Sequence, residues 1–367
     1  TRFLGVLVGA AITAVIQSSS ATTVMVVGFV NSGMMTLKQA VWIIMGANIG
    51  TTITGQLIAL DVGAVAPLFA FVGVAMVVFL KKPQIHHYGN ILAGLGVLFI
   101  GMEMMGSAME PLREWPAFVN LVSTFSNPVV GILAGAAFTA LIQSSSASVG
   151  ILQALALSGV IGLDSAVYVL FGQNIGTCIT AILASTGTNK NARRAAMIHL
   201  YFNIIGSVIF LCAFYLLNSI LHFPIMGQAI DVVGIATVHS CFNIGATILL
   251  FPFSRGLERL AMLTIPDSPE PEQTPLLDPL LLATPAVAVE RSFTTTADMA
   301  EMGRQGVCLA IGLMHKWEEK KASEVNRLEA ETDRYEDAIG TYLVQLSNRS
   351  MNLADSHMVN TLLHTIS

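Results

Sequence analysis

Charge is what this sequence has least of. Only 11% of its 367 residues are Asp, Glu, Lys or Arg, whereas 54% are hydrophobic. Between Gly5 and Phe79 the formal charges are Lys38 and Asp61, and charged residues become dense only after Asp267. A soluble domain carries far more charge on its surface, so this composition excludes one for most of the chain and indicates an integral membrane protein.

Cysteine pairs and catalytic motifs are also missing. The four cysteines form no CxxC motif and no Cys/His spacing, which leaves no recognisable zinc or dithiol site. The sequence has no GxSxG nucleophile elbow, so a serine-nucleophile enzyme is not indicated. We therefore predict that the protein is not an enzyme and that it uses no organic cofactor and no nucleic acid.

What the sequence does contain is one unusual segment, present twice. Gln-Ser-Ser-Ser at Gln17–Ser20 recurs at Gln143–Ser146, each time inside an apolar stretch. Aligning Gly5–Thr54 with Gly131–Thr180 at a constant offset of 126 needs no gap and gives 25 identities in 50 positions. The identities cluster at GAAxTAxIQSSSA and at GxNIGTxIT. Two polar plugs in two copies of one apolar unit are typical of a transporter built from internal repeats.

Ten apolar runs are suited to spanning or half-spanning a membrane: Phe3–Ile16, Ala21–Val30, Ala40–Leu60, Ala64–Leu80, Gly89–Met109, Val129–Ile142, Ala147–Val160, Ala166–Ser185, Ala195–Leu217 and Val232–Phe253. The runs that flank each QSSS are shorter than the ~20 residues of a full helical span. A polar break at membrane depth is tolerated only where protein encloses it or where it lines a wet cavity. We expect each QSSS at the tip of a broken helix or re-entrant hairpin near the midplane.

The loop charges predict how the two repeats are oriented. After the first copy, the loop 61–66 has no Lys or Arg, and the next loop contains Lys81 and Lys82. After the second copy the order is reversed, because 189–194 holds three cationic residues and 218–231 holds none. By the positive-inside rule, corresponding loops then lie on opposite sides. We predict an all-α polytopic protein of the cell (inner) membrane with two inverted-topology repeats and a cytoplasmic C-terminal segment.

The domain boundaries follow from the repeat and from proline. The helix-like run before the second copy has no counterpart before the first, so we expect roughly 40 native residues to precede residue 1. Residues 1–127 then form the first, N-terminally truncated repeat and the start of the second, and 128–262 complete the second repeat. A Pro-rich linker is predicted over 263–290. Helical periodicity with soluble character predicts a partial helical domain over 291–367.

The QSSS tips offer an amide, three hydroxyls and free backbone groups. Hydroxyl and carbonyl oxygens suit Na⁺, whereas the N–H groups at a broken-helix N-terminus suit an anion. A single serine in a membrane helix is more often a packing residue bonded to its own backbone. Two duplicated tips with duplicated polar partners favour the functional interpretation. The partners are Asn48, Thr51, Thr52 and Thr54 in the first copy and Asn174, Thr177 and Thr180 in the second.

A second duplicated motif, HxxFN, starts at His199 and at His239. Two interpretations are open: a functional role, or hydrogen bonds that bridge helices, which we favour. Glu103 is the only acid within Gly89–Met109 and is a functional candidate by default.

Together the paired QSSS, GANIGTTIT, GQNIGTCIT and HxxFN resemble the type II Na⁺/phosphate cotransporter family, from Gly5 to about Phe253. The resemblance implies Na⁺-coupled movement of inorganic phosphate through a lipid bilayer, with both tips at a central site. It implies phosphate contacts at Gln17, Ser18, Ser19, Ser20, Asn48, Gln143, Ser144, Ser145, Ser146 and Asn174. It implies sodium contacts at Gln143, Ser144, Ser145, Thr177 and Thr180, extended by the repeat to Gln17, Ser20, Thr51 and Thr54.

One departure from the family bears on coupling. Electrogenic animal members carry an HDFFN-like segment after the first repeat, and here the corresponding stretch is APLFAF at 66–71. Importing a divalent phosphate against 100 mV costs about 4.6 kcal/mol, which two Na⁺ would cancel. We predict electroneutral symport.

The C-terminal segment resembles a PhoU-like domain. Glu329, Asp333 and Asp337 lie on one helix face and could bind a hard cation, although a solvated acidic face is the favoured interpretation.

The sequence leaves open whether the protein forms a homodimer. Two other functions also stay open: an exporter or transporter of a related oxyanion, and a membrane phosphate sensor that signals through this segment.

Overall fold

The computed structural model describes residues 1–60, 62–221, 228–267 and 276–366. Within these ranges the regular structure is helical, and an isolated β-bridge joins Gly162 to Ala229. The all-α prediction is therefore confirmed. Asp61, the middle of the predicted loop 218–231 and the middle of the predicted Pro-rich linker lie outside the described residues.

The first twelve helices account for the ten apolar runs of the sequence, with one run divided into two helices and one helix, Pro116–Ser123, lying outside the runs. They are α1 (Arg2–Ile16), α2 (Ser19–Asn31), α3 (Leu37–Ile58), α4 (Ala66–Phe79), α5 (Pro83–Met109), α6 (Pro116–Ser123), α7 (Pro128–Ile142), α8 (Ser145–Leu157), α9 (Leu163–Gly176), α10 (Cys178–Ala184), α11 (Lys190–Leu221) and α12 (Val232–Leu250). Proline at the first helical position starts α5, α6 and α7, where its missing N–H costs no hydrogen bond.

Four more helices follow: α13 (Ser254–Thr264), α14 (Pro285–His315), α15 (Glu319–Ser347) and α16 (Leu353–Ile366). Pro279–Ala283 forms a short 3₁₀ helix. Helix α14 begins at Pro285, inside the stretch predicted as a linker. The proline occupies its first turn, so the residue type that indicated a linker here starts a helix.

Among the described residues, five helices are long and apolar enough to cross a membrane. The count becomes six if the pair Pro116–Ser126 and Pro128–Ile142, bent by 108°, is one broken span. The helices that flank each QSSS are shorter, at 13 to 15 residues. A polytopic membrane protein is thus supported, while the inverted orientation of the repeats stays a prediction.

Glycines allow the same close helix pair to form in both copies. A Cβ atom at Gly46 of α3 would lie 2.0 Å from the carbonyl oxygen of Val6 on α1. At the equivalent Gly172 of α9, a Cβ atom would lie 2.0 Å from the carbonyl oxygen of Ile132 on α7. Only glycine permits this approach. Because both contacts keep the offset of 126, the two copies fold alike at this helix pair.

The chain divides into two compact units. The first unit comprises Thr1–Thr23, Leu37–Thr186 and Arg194–Pro266, and the second comprises Val24–Thr36, Gly187–Arg193 and Asp267–Ser367. In the first unit one buried cluster, centred on Leu170 and Ile235, gathers residues from α6, α8, α9 and α12.

The second unit has its own core, in which Leu281, Ile339, Leu343 and Leu346 are almost completely buried. Phe29 of α2 packs against this core.

A buried acid organises the second unit. The Asp278 carboxylate is 1% exposed and accepts hydrogen bonds from Asn31 Nδ2 at 2.8 Å and from Leu280 N–H at 2.9 Å. Asn31 Oδ1 in turn accepts from Asn189 N–H at 2.8 Å. The Tyr342 hydroxyl donates to the Asp278 carbonyl at 3.0 Å. Residues distant in sequence are therefore joined through this one acid, and burial raises the pKa of its carboxyl group.

Candidate functional site

Each QSSS interrupts a helix in the same way. Gln17 has φ 59° and Gln143 has φ 59°, and they are the non-glycine residues with positive φ among the described residues. Each glutamine ends its helix in the left-handed conformation, with its N–H bonded to Thr13 or Thr139. The broken helix predicted at each tip is thus observed, with the glutamine as the breaking residue.

The serine after each glutamine caps the next helix. Ser18 Oγ accepts a hydrogen bond from Ala21 N–H at 3.1 Å, and Ser144 Oγ accepts one from Ala147 N–H at 3.2 Å. These hydroxyls satisfy one helix-end donor each. The N–H groups of Ser19, Ser20, Ser145 and Ser146 have no helical acceptor, because they lie in the first turn. Each tip therefore presents backbone donors at the positive end of a helix dipole.

The two tips meet. Ser19 Oγ lies 3.3 Å from Ser145 Oγ, and the two serines occupy equivalent positions of the two copies. Their side chains are buried, at 3% and 6% exposure. Two helix N-termini therefore converge on one point inside the first unit, which is the arrangement that a bound anion would stabilise.

Thr54 connects the copies at the same place. Its hydroxyl donates to Gln17 Oε1 at 2.7 Å and accepts a hydrogen bond from Ser146 Oγ at 3.2 Å. The Gln17 amide also donates to the carbonyl of Ala14. The structure thus brings together five of the predicted site residues: Gln17, Ser19, Thr54, Ser145 and Ser146.

Three of the residues predicted to bind sodium in the second copy, Gln143, Thr177 and Thr180, make no hydrogen bond to the first copy within the described residues. The Gln143 side chain is exposed and makes no hydrogen bond within the described part of the chain. Thr177 Oγ donates to Gln173 O at 2.9 Å and Thr180 Oγ donates to Thr177 O at 3.0 Å. A hydroxyl that donates its proton keeps its lone pairs, so both oxygens can still coordinate a cation.

The sequence did not predict that the helix carrying these threonines is interrupted. α9 ends at Gly176 and α10 begins at Cys178, whereas α3 runs unbroken through the same positions of the first copy. Thr51, the counterpart of Thr177, is buried, and its hydroxyl has no partner among the described residues.

The two asparagines of the NIGT segments bond to their own helices. Asn48 Nδ2 donates to Ile44 O at 2.9 Å and Asn174 Nδ2 donates to Leu170 O at 2.8 Å. Neither has a hydrogen bond to a tip serine in the described residues. Ser20 likewise makes no side-chain hydrogen bond there, although its carbonyl accepts from Thr23 Oγ at 3.1 Å.

The HxxFN motifs bridge helices. Asn203 Nδ2 donates to His199 O at 3.0 Å and to Cys178 Sγ at 3.3 Å. Asn243 Nδ2 donates to His239 O at 2.9 Å and to Asn174 Oδ1 at 3.3 Å. Both motifs therefore attach to the NIGTCIT segment of the second copy, which supports the bridging interpretation.

The three acids predicted as metal ligands lie on α15. Glu329, Asp333 and Asp337 are exposed, and the first two line an open groove of about 360 Å³. In the described ranges no group of three or more His, Cys, Asp or Glu residues is arranged to hold a metal ion. Metal binding by these acids stays a prediction.

Two glutamines that connect helices, the buried Gln153 and the half-buried Gln56, were not among the predicted residues. Gln153 Nε2 donates to Gly55 O at 3.0 Å and to Val232 O at 3.2 Å. Gln56 Nε2 donates to Ala236 O at 3.0 Å and to Ser240 Oγ at 2.8 Å. The signal was present, because each is an amide inside an apolar run, and a polar group at membrane depth needs a partner.

Comparison with protein families agrees with the duplicated motifs. The model of the Na⁺/Pi-cotransporter family matches residues 1–107 and 116–238, which include both QSSS tips. The chain belongs to the Na⁺/Pi-cotransporter family.

Three relatives illustrate the range of this family. YjbB of Escherichia coli (strain K12), provisionally named as an inorganic phosphate export protein, is 26% identical over 94% of this chain and 63% of its own length. YqeW of Bacillus subtilis (strain 168), whose name assigns no function, is 30% identical over 71% of this chain and 84% of its own length. The human sodium-dependent phosphate transport protein 2B is 49% identical over 34% of this chain and 19% of its own length.

This member of the Na⁺/Pi-cotransporter family thus spans 63% of the length of the YjbB proteins of Escherichia coli and Shigella flexneri. No solved structure matches it. The match to the family model ends at residue 238, so it does not extend to α14, α15 and α16.

Proposed function

We propose that the protein is a sodium-coupled transporter of inorganic phosphate, a secondary active symporter that binds both solutes between its two QSSS tips. The observation that carries the proposal is the contact between Ser19 and Ser145, because it brings together the first turns of α2 and α8, whose N–H groups and serine hydroxyls are free to bind an anion. Family membership supports phosphate as the solute.

The phosphate would bind at the converging helix ends. The N–H groups of the first turns of α2 and α8 have no helical acceptor, and serine hydroxyls surround them. Phosphate is an anion with several acceptor oxygens, so it matches such a donor set without a nearby lysine or arginine. Asn48 and Asn174 would serve the site indirectly, since their amides bond to helix carbonyls.

The difference between the two glutamines favours a sodium site in the second copy. Gln17 Oε1 already accepts from Thr54, whereas Gln143 Oε1 has no donor in the described residues. Neutral oxygens from Gln143, Ser144, Ser145, Thr177 and Thr180 are ligands that a hard cation accepts. A cation bound there would lower the electrostatic cost of a phosphate at the adjoining tips.

Two relatives carry names that point to phosphate with different emphasis, export for YjbB and sodium dependence for the human protein. A carrier moves solute down the combined gradients, so the same site serves uptake or export. We infer uptake with two Na⁺ per divalent phosphate, and export through the same site is the second candidate because YjbB matches 94% of the chain.

The proposed topology places the repeats in opposite orientations and the C-terminal helices in the cytoplasm. Support comes from the loop charges, since Lys81 and Lys82 precede α5 and a cationic cluster starts α11. A two-fold relation in the membrane plane also agrees with a contact between equivalent serines, because a residue that touches its own equivalent must lie near the axis. We propose that α14, α15 and α16 form a PhoU-like regulatory segment.

The test is ³²P-phosphate flux into proteoliposomes with and without an inward Na⁺ gradient. We expect Na⁺-dependent flux that Ser145→Ala reduces about tenfold or more, because a hydrogen bond to a charged group contributes roughly 1.5–3 kcal/mol. Ser158→Ala is the matched control. Ser158 lies at the other end of α8, and its hydroxyl bonds only to Leu155 O in the described residues, so flux should be unchanged.

Absence of flux under either gradient, with phosphate binding intact, would reject the symporter and favour a phosphate sensor. Flux of phosphate without any dependence on Na⁺ would reject the coupling alone. Equal losses in Ser145→Ala and Ser158→Ala would reject the tip as the binding site.

A further inference from the structure

The first unit contains a large cavity away from the tips. Its volume is about 980 Å³, and it is lined by the end of α3, the end of α8, the middle of α5 and the residues that open α12. Gly63, Ala64 and Asp231, in or beside the two loops without lysine or arginine, also border it. On the proposed topology, this cavity opens on the outer side of the membrane.

Gln153 lies between this cavity and the tips. Ala156 and Leu157 of α8 line the cavity, and Gln153 is one helical turn closer to the tip. From Ser145 at the start of α8 to Gln153 the helix rises by about 12 Å. The side chain is completely buried, at 0% exposure. Any path from the cavity to the Ser19–Ser145 contact along α8 therefore passes this glutamine.

The hydrogen bonds of Gln153 join three helices at that level. Its Nε2 donates to Gly55 O on α3, at 3.0 Å, and to Val232 O at the start of α12, at 3.2 Å. Gly55 lies one turn from Ile58, and both Ile58 and Val232 line the cavity. The elements held together are thus the walls of the cavity itself.

Gln56 makes a second connection between the same walls. It lies on α3 beside Gly55, and its Nε2 donates to Ala236 O and Ser240 Oγ of α12, at 3.0 and 2.8 Å. Where the cavity ends, Gln153 therefore joins α8 to α3 and α12, and Gln56 joins α3 to α12.

These connections are suited to breaking and re-forming. Gly55 O also accepts the helical hydrogen bond of Ala59 N–H at 3.0 Å, so the bond from Gln153 is an additional one on a carbonyl already satisfied. Gln153 Oε1 is buried and accepts no hydrogen bond within the described part of the chain. Opening the contact leaves the Gly55 carbonyl paired within its helix, and the free amide gains water as a partner.

We propose that Gln153, together with Gln56, is the gate between an external access cavity and the tips. Closed, Gln153 joins α8 to α3 and α12 below the cavity, and Gln56 holds α3 and α12 together so that both acceptors of Gln153 stay in place. Open, α8 separates from Gly55 and Val232, and water and solutes reach the serines. The assignment of the cavity as the external path rests on the proposed function and topology.

The test measures access rather than transport. Val149 is buried, lies one turn closer to the tip than Gln153, and approaches Gly55, whose Cβ would lie 3.6 Å from Val149 Cγ1. Val149→Cys is placed in a background in which the exposed Cys212, Cys241 and Cys308 are serine. A membrane-impermeant methanethiosulfonate is added to the outside of right-side-out vesicles, without added Na⁺ or phosphate.

We expect Gln153→Ala to raise the labelling rate of Val149→Cys at least about tenfold, the change expected when a hydrogen-bonded closure is lost. Gln84→Ala, at an exposed glutamine in the first turn of α5, should leave the rate unchanged. Gln56→Ala should raise the rate as well, because it loosens α3 from α12 and so displaces the two acceptors of Gln153. It provides a second variant if Gln153→Ala does not fold.

The gate would be overturned if Gln153→Ala, Gln56→Ala and Gln84→Ala all left the labelling rate unchanged. It would also be overturned if all three raised the rate equally. Labelling needs no coupled flux. A failure of the symport proposal in the flux assay would therefore leave this result readable, and a failed gate would leave the flux result readable.

Discussion

The left-handed glutamines have a conformational role and a chemical role that substitution can separate. Gln143 ends α7 at φ 59°, where a side chain is strained and glycine is not. We predict that Gln143→Gly is more stable than Gln143→Ala by about 1 kcal/mol, although both lose Na⁺-dependent flux because both lack the amide oxygen. Thermal unfolding in detergent and proteoliposome flux measure the two effects.

The control for this comparison is Gln345, an exposed residue inside α15. There glycine should be less stable than alanine by roughly 0.5–1 kcal/mol, since the backbone is helical. If alanine is preferred at residue 143 as well, the tip is not left-handed in the working protein.

Each tip residue is predictable as polar and duplicated, but its partner is not. The repeat alone singles out Gln17, Ser19, Ser145 and Thr54 as site residues. That Thr54 serves Gln17 and Ser146, rather than a residue of its own copy alone, depends on how two distant segments pack. Gln153 was missed because a lone amide has no duplicated counterpart to mark it.

At the scale of the helix pair, Gly46 and Gly172 allow the close packing that the two copies share. A Cβ at Gly172 would lie 2.0 Å from Ile132 O, so Gly172→Ala forces α7 and α9 apart. We predict a loss of about 1–3 kcal/mol of stability, as for other overpacked positions. The change should lower the thermal unfolding temperature of the protein in detergent.

Gly101→Ala is the matched change on α5, where a Cβ would meet nothing within 4 Å. Alanine is the better helix former, so this variant should be as stable as the wild type or more stable by up to about 1 kcal/mol. A Gly172→Ala protein that unfolds at the same temperature as Gly101→Ala would contradict the close pairing.

At this scale, the sequence predicted the positions of the helices to within a few residues but not every break between them. The run predicted over Ala40–Leu60 is α3 at Leu37–Ile58, and the run over Val232–Phe253 is α12 at Val232–Leu250. The single run over Ala166–Ser185 is divided into α9 and α10 at Thr177. Apolar residues continue on both sides of the break, and the equivalent run of the first copy is one helix, so the sequence pattern gives no reason for the break.

At the scale of the whole molecule, Asp278 makes the second unit sensitive to pH. Burial raises its pKa above the usual value of 3.8, so the folded unit holds this proton more tightly than the unfolded chain does. The stability that comes from this proton is therefore present at low pH and is lost as the pH rises through the raised pKa. We predict that Asp278→Asn removes this dependence: the stability of the second unit should no longer fall as the pH rises above the usual pKa range of carboxyl groups.

Limited proteolysis of the α14–α16 segment across about pH 4–7 measures the effect relative to the wild type. Asp298→Asn is the control, because this acid of the same unit is exposed, and its profile should match the wild type. If Asp278→Asn follows the wild-type profile throughout, the carboxylate is not buried in the folded unit.

The coupling of Na⁺ movement to phosphate movement is also a property of the whole molecule. Residues 66–71 begin α4 and carry no ionisable side chain, so the first copy lacks the acid that the resemblance implies for electrogenic members of the family. We predict that a K⁺/valinomycin potential of about 100 mV leaves the initial Na⁺-driven phosphate flux unchanged. A third coupled Na⁺ would instead add about 2.3 kcal/mol of driving force.

A Na⁺ gradient at zero potential is the positive control for this measurement and should drive flux in the same vesicles. Accumulation that grows with an inside-negative potential would show an electrogenic cycle and would reject the predicted coupling.

The sequence by itself determined the helical membrane character, the duplication and the identity of the polar tips. These are local properties, because the length of an apolar run and the identity of a motif do not depend on distant residues. Tertiary structure alone decided that Ser19 meets Ser145, that Thr54 donates to Gln17, and that Gln153 joins three helices. The serine contact joins residues 126 positions apart, and only the packing of whole helices brings such residues within hydrogen-bond distance.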